Sequence, residues 1–168
     1  MFLKTTLLGV TVAAGVMLAQ APSISKEAQQ AYASTKHNLT KLAEDLPEDA
    51  YGYKPVDSVR TLAGLIGHVA DAQQGSCSAA NGAPKPGGAS KLTAKAELVS
   101  ALKASFEECD KAFAGLTDSN LTDPIKTRRG ERSRLMTLLG VVIHSNEEYG
   151  YMAVYLRMKG IVPPSSQH

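Results

Sequence analysis

The chain contains no tryptophan, and its aromatic residues are six tyrosines and three phenylalanines in 168 residues. A core built from this composition has to come mostly from Leu, Ile, Val, Met and Ala, and the Leu, Met and Ala share suits helices. Cysteine is scarce as well, with Cys77 and Cys109 the only two, so no disulfide framework dictates the fold, and a chain of this length can bury a core without one. An excess of one charge is also missing: 18 basic side chains face 16 acidic ones. That near-balance leaves no footprint for nucleic acid or an anionic membrane surface. No Gly-rich phosphate loop follows a strand pattern, since Gly87-Gly88 sits in a Pro-containing linker. Ser76-Cys77-Ser78 lacks an elbow motif, which argues against nucleophile-type hydrolysis.

The N-terminus has the form of a signal peptide. Lys4 is the only charge before an apolar run of about fifteen residues ending near Ala19, the length of an h-region and short for a bilayer span. Ala19-Gln20-Ala21 supplies a small-residue cleavage pattern, although Pro22 directly after it is awkward for a peptidase. An uncleaved membrane anchor is the alternative, and the lack of a nearby cysteine argues against a lipid anchor. With residues 1–21 read as a signal peptide, the mature part is one domain over 22–168, with 17 basic and 16 acidic groups. It is expected to be periplasmic or secreted, with no stable membrane span after cleavage. Export permits a Cys77–Cys109 bridge; the other reading is two buried thiols packing as small apolar groups.

Four helical segments are expected, which makes the fold class an all-α four-helix bundle. The first runs from about Ser25 to Asp45, with Ala28, Ala31, Tyr32, Thr35, Leu39 and Leu42 at helical spacing, and Leu46-Pro47 stops it. The second runs from Arg60-Thr61 to about Asn81, capped by Thr61 or Ser58, with Leu62, Leu65, Ile66, Val69 and Ala72 as its stripe. The third, from about Thr93 to Gly115, places Leu98, Leu102, Phe106, Cys109 and Phe113 on one face, a position that favours the buried thiol for Cys109. The fourth runs from an N-cap at Ser133 to Lys159, with Gly160 beyond the stop. Between Leu135 and Leu156 its only charges are Glu147 and Glu148, a pattern that predicts burial nearly all round. Residues 82–92 and 116–132 are expected to be long connections. The first could extend roughly 35 Å, enough to let the second and third helices run parallel.

The chemistry concentrates on two helices. His144 and Glu148 are spaced i, i+4, about 40° apart on one helix face, a spacing at which two side chains can close on one metal ion. Glu147, at i+3, also meets that geometry. The plainer reading leaves both glutamates solvated. On the second helix His68 lies at the border of the apolar stripe, from which it can reach inward, and Asp71 lies three residues on, where it can orient the imidazole or ligate. Taken alone, such a histidine is more often a satisfied core or surface residue than a ligand. Cys77 is about 180° round the helix from His68, outside any shared site. His37 falls on a charged face and His168 is the C-terminal residue, so neither has an evident partner. Any metal site must therefore draw on His68, His144 and a carboxylate, a donor set suited to Zn, Ni or Fe with positions left open, as in catalytic sites.

These residues resemble the DinB-like superfamily. The resemblance is strongest from His144-Ser145-Asn146-Glu147-Glu148-Tyr149-Gly150 through Tyr155-Leu156-Arg157-Met158-Lys159-Gly160-Ile161-Val162-Pro163-Pro164. It continues in Arg60 to Ala72, in Pro47 to Pro55 and, more weakly, in Phe106 to Asp110. It implies a four-helix bundle of up-down-down-up order, with a divalent metal held by one histidine on the second helix and an H-x-x-x-H pair on the fourth. By position, the first two ligands are His68 and His144, and this chain departs at the third, where Glu148 stands in place of histidine. A two-histidine, one-carboxylate site follows if Glu148 ligates; otherwise the glutamate marks a lost metal. Family activities include thiol-dependent reactions, which need a cytosolic thiol that an exported protein would not meet, and metal-dependent hydrolysis.

The expectation is thus a metal-dependent hydrolase acting on an unidentified small-molecule substrate. His68, His144 and Glu148 hold the metal, Glu147 or Asp71 serves as general base and Tyr155 polarises an oxyanion. The alternative is a non-catalytic bundle with a degenerate metal site that binds a small apolar ligand or a protein partner in its cleft, under the tail after Gly160. A third reading has the polar residues only bonded to one another, with Arg157 pairing a carboxylate or the last helix carbonyls. The resemblance also implies a homodimer.

Overall fold

The computed structural model describes residues 22–128 and 130–167. The expected signal peptide at 1–21 lies outside the described residues, as does His168. Four long helices dominate: α1 (Ile24–Asp45), α2 (Leu62–Ala80), α3 (Lys95–Ala114) and α4 (Arg134–Met158). No helix among the described residues is long and apolar enough to cross a membrane.

The helix ends follow local chemistry. Ser23, Thr61 and Ser133 are the N-caps of α1, α2 and α4, each side-chain oxygen accepting from the backbone N–H three residues on. α4 ends with Gly160 at φ +73°, the Gly160 N–H donating to Arg157 O and the Ile161 N–H to Leu156 O. This pair satisfies two of the last carbonyls and needs a left-handed residue at Gly160. Arg157 reaches Ser166 Oγ at 3.0 Å and Ala153 O at 3.5 Å, so it ties the tail to α4.

Residue pairs across the bundle give the helix directions. Gln73 meets Ser105 and Cys77 meets Cys109, so α2 and α3 run the same way. Ser25 meets Asp118, Gln29 meets Phe113 and Lys95 meets Leu46, which makes α1 antiparallel to α3. His68 meets His144 and Arg134 meets Ala80, which makes α4 antiparallel to α2. The core between them is Leu- and Ala-rich, with Tyr32 stacked on Phe113 at 4.0 Å.

Three expectations are corrected here. The connection over 116–132 is not a plain loop: β1 (Pro124–Thr127) and β2 (Gly130–Ser133) pair antiparallel, Pro124 opposite Ser133 and Thr127 opposite Gly130. Only Ile125 on this ribbon is buried, too short a signal to read as a strand. Cys77 and Cys109 form a disulfide rather than two packed thiols, because the parallel α2–α3 pairing brings their Cα atoms to 4.9 Å. And α4 is not buried all round. Leu138, Val141, Met152 and Leu156 enter the core, while Ile143, Val154 and Met158 are more than half exposed, since helices pack on one side of it only.

Candidate metal centre

The first turn of α2 is held by the segment before it. Leu62 N–H donates to Tyr53 O at 3.0 Å and Ala63 N–H to Tyr51 O at 2.8 Å. Tyr51, buried, donates its hydroxyl to Ala43 O and so pins this segment to α1. The start of α2 is therefore fixed against both α1 and the 51–61 strap, which fixes the position of His68 almost two turns on.

On the other side of His68 the 84–91 loop closes tightly over α2. An added Cβ on Gly67 would lie 2.6 Å from Ala89 O, so only glycine admits the loop at that depth. The Asp71 carboxylate clamps the same loop, accepting from the N–H groups of Gly88, Ala89 and Ser90 at 2.6, 2.7 and 3.0 Å. Partial burial pushes the Asp71 carboxyl up, and the hydrogen bonds from Ser90, Gly88 and Ala89 outweigh it and hold the group below its ordinary value. The structure thus gives Asp71 a different place from the one expected beside the imidazole. Both its oxygens are engaged by backbone N–H groups at the start of the 3₁₀ turn Ala89–Lys91.

His68 Nε2 and His144 Nε2 lie 3.1 Å apart, with the ring planes inclined by 56°. Glu148 Oε1 stands 3.6 Å from the first nitrogen and 3.8 Å from the second. The solvated glutamate pair is corrected in half: Glu148 is buried, while Glu147 is exposed and accepts from Tyr151 Oη at 3.2 Å. Glu147 therefore stands outside the cluster. Asp71 does too, and the group that can hold an ion is His68, His144 and Glu148 alone among the described residues.

These residues fit a divalent cation. Ligand atoms about 2.0–2.1 Å from a tetrahedral ion stand about 3.3 Å from one another, and the three separations of 3.1, 3.6 and 3.8 Å bracket that value. Glu148 Oε2 and His144 Nδ1 are buried without a hydrogen-bond partner. A buried carboxylate with an orphaned oxygen is costly unless a cation offsets its charge. Burial is the largest influence on His68 and pushes its pKa down; Glu148 and Asp71 oppose the shift, Arg60 and His144 reinforce it, and the net is a lowered value. A neutral imidazole at neutral pH is the form that ligates a metal.

A cleft of about 610 Å³ opens beside the cluster, lined by Ser58, Val59, Arg60, Leu65, Glu148, Tyr151 and Tyr155. Tyr155 is among the expected site residues. Its ring meets Tyr53 edge-on at 6.1 Å, and burial followed by the nearby Glu148 raises its pKa, so its hydroxyl keeps its proton at neutral pH. Sequence reasoning missed the lip formed by Ser58, Val59 and Arg60. The signal available was position: Arg60 directly precedes the N-cap of the helix that carries His68. The tail after Gly160 does not line this cleft; it docks where Tyr149 Oη meets Ser165 Oγ at 3.0 Å.

The DinB superfamily model matches residues 31–152. A crystal structure of a DinB-like protein from Bacillus cereus ATCC 10987 superimposes with a TM-score of 0.69 at 16% identity, covering 84% of this chain and 96% of that one. At that identity the likeness speaks for the fold. No curated protein matches the chain.

Proposed function

The chain belongs to the DinB superfamily, and we propose on that premise that it is a divalent-metal-dependent hydrolase of the cell envelope. The observation that carries the proposal is the convergence of His68, His144 and the buried, half-orphaned Glu148 at the wall of an open cleft. A divalent ion of the Zn, Ni or Fe type, when bound there, supplies a Lewis acid and an activated water.

The chain's own groups have separate tasks. His68 and His144 present neutral nitrogens, and Glu148 brings the negative charge. Tyr155, with its proton retained, is placed on the cleft wall to donate a hydrogen bond to an oxygen that gains charge. Of the two carboxylates considered as general base, Asp71 is engaged by three backbone amides. Glu147 stands outside the cleft lining and touches it only through Tyr151 Oη, so neither carboxylate is placed as the base. The buried Cys77–Cys109 disulfide supports the envelope location, since such bonds persist in oxidising compartments. A homodimer belongs to the same proposal, with the exposed Ile143, Val154 and Met158 on α4 as its apolar face.

Elemental analysis of the mature protein beside His144→Ala tests this reading. The expected result is close to one equivalent of zinc, nickel or iron, lost in the variant, together with ester hydrolysis that stops with chelator and returns with metal. One observation favours the second reading, a non-catalytic bundle with a degenerate metal site. At 3.1 Å the two imidazoles can bond to each other, one donating and one accepting, with no ion between them. A protein that takes up no metal on reconstitution, with wild type and variant equally stable, would establish that reading instead.

A further inference from the structure

Arg60 is the one cationic side chain lining the cleft, and among the described residues it has no ion pair or hydrogen bond. Lys36, Lys85 and Lys103, by contrast, each reach a carboxylate, at Asp110, Glu108 and Glu44 respectively, so what sets Arg60 apart is its place on the cleft. The stem of Arg60 is directed by its setting. It packs over the first turn of α2, where an added Cβ on Gly64 would lie 3.4 Å from Arg60 Cβ. Thr61 behind it is fixed as the N-cap through its bond from Gly64 N–H. The positive end of α2 adds to the field at this lip.

The remaining lining is mostly apolar or aromatic: Val59, Leu65, Tyr151 and Tyr155, with Ser58 as a further hydroxyl. Glu148, on the same wall, marks the end at which the metal cluster stands. A ligand lying in this cleft therefore meets a guanidinium at the lip, a hydrophobic wall, and Glu148, the member of the His68–His144–Glu148 group that lines the cleft. A single guanidinium matches one carboxylate in a planar, two-bond arrangement, and the lining offers no second cation to balance a phosphate dianion beside Glu148.

We infer that Arg60 is the specificity-determining residue of the cleft and anchors the carboxylate of an organic acid whose apolar body lies along Leu65 and Tyr155. Its reacting group faces the metal cluster, and that last clause rests on the proposed hydrolase reading. The anchoring itself does not, because Arg60 belongs to the protein with or without an ion.

The test is a titration of the mature protein with phenylbutyrate and with its uncharged amide, by calorimetry, in the zinc-reconstituted and the chelator-treated forms. Both forms are expected to bind the acid about ten-fold more tightly than the amide, the factor one charge-assisted hydrogen-bonding pair supplies. Arg60→Gln should abolish the preference and Arg60→Lys should keep part of it, and both variants should melt with wild type because Arg60 is exposed. An unchanged preference in Arg60→Gln overturns the inference, as does equal binding of acid and amide or no saturable binding of the acid. A preference that needs zinc and survives Arg60→Gln places the carboxylate on the metal, which overturns the anchor and supports the metal centre. A preference lost in Arg60→Gln in a protein that never takes up zinc keeps the anchor and removes the hydrolase reading.

Discussion

Two polar clusters lie within a few turns of each other on α2, and they are built on opposite principles. Around Gln73 everything is paired: its Nε2 donates to Ser145 Oγ at 3.1 Å, its Oε1 accepts from Ser105 Oγ at 2.8 Å, and one turn on Cys77 is bonded covalently to Cys109. Around His68 the pairing is incomplete, with Glu148 Oε2 and His144 Nδ1 buried and alone. Both clusters join α2 to α4; Gln73 is fully buried, whereas at the other only Glu148 is buried and the two histidines are half-buried. A satisfied buried network rigidifies the bundle, whereas an unsatisfied one stores a cost that a ligand can relieve. That difference is why the proposed ion is placed at the His68 end.

Removing the disulfide should have the largest effect. The link spans a sequence separation of 32 residues, and a loop of that size corresponds to about 3–4 kcal/mol of stability. A Cys77→Ala, Cys109→Ala double variant is expected to lose that much in urea unfolding and to keep its metal affinity, since neither sulfur lies in the cluster. Coupled loss of metal binding would show that the two regions are not separable.

Gln73→Leu comes next, at about 2 kcal/mol of destabilisation, because it leaves the buried Ser145 hydroxyl without its partner. Glu148→Leu should move the other way. In chelator-treated protein the change removes an uncompensated buried carboxylate and is expected to raise stability by about 1 kcal/mol while abolishing metal binding. Loss of stability in that variant without metal would mean that Glu148 is held by the fold and not kept for a ligand.

The smallest effect is a pH slope. The Asp71 carboxyl sits below the value of about 4 it has in an unfolded chain. It therefore contributes stability that is present above about pH 4 and is lost as the pH falls through the folded value. Asp71→Asn should flatten the acid limb of urea midpoints measured between about pH 5 and pH 2. An unchanged limb would show that the clamp on Gly88, Ala89 and Ser90 does not differ between the folded and unfolded chain.

The helices were legible because their signals are long. The spacing of Leu98, Leu102, Phe106, Cys109 and Phe113 marks one face of α3, and all five are buried. Thr61 and Ser133 cap as their hydroxyls suggest. The hairpin at 124–133 was not legible, since a ribbon with one buried residue has almost no periodicity to read. Spacing also left Glu147 and Glu148 equivalent as partners of His144; packing against α2 buries one and turns the other to solvent. Asp71 was misjudged for a different reason: its acceptors are filled by backbone N–H groups 17–19 residues away, and backbone donors carry no sequence signature.

The sequence by itself determined that this chain makes four amphipathic helices, where they start and stop, and that His68, His144 and a carboxylate were the only centrally placed ligand set. Those are local properties, set by side-chain period and capping. Tertiary structure decided that Glu148, the carboxylate already expected there, is buried beside the two histidines while Glu147 is exposed, that Cys77 meets Cys109, and that Arg60 is brought to the lip of the cleft. Each depends on two helices approaching at one register, and a register is a property of the packed pair that neither helix carries alone.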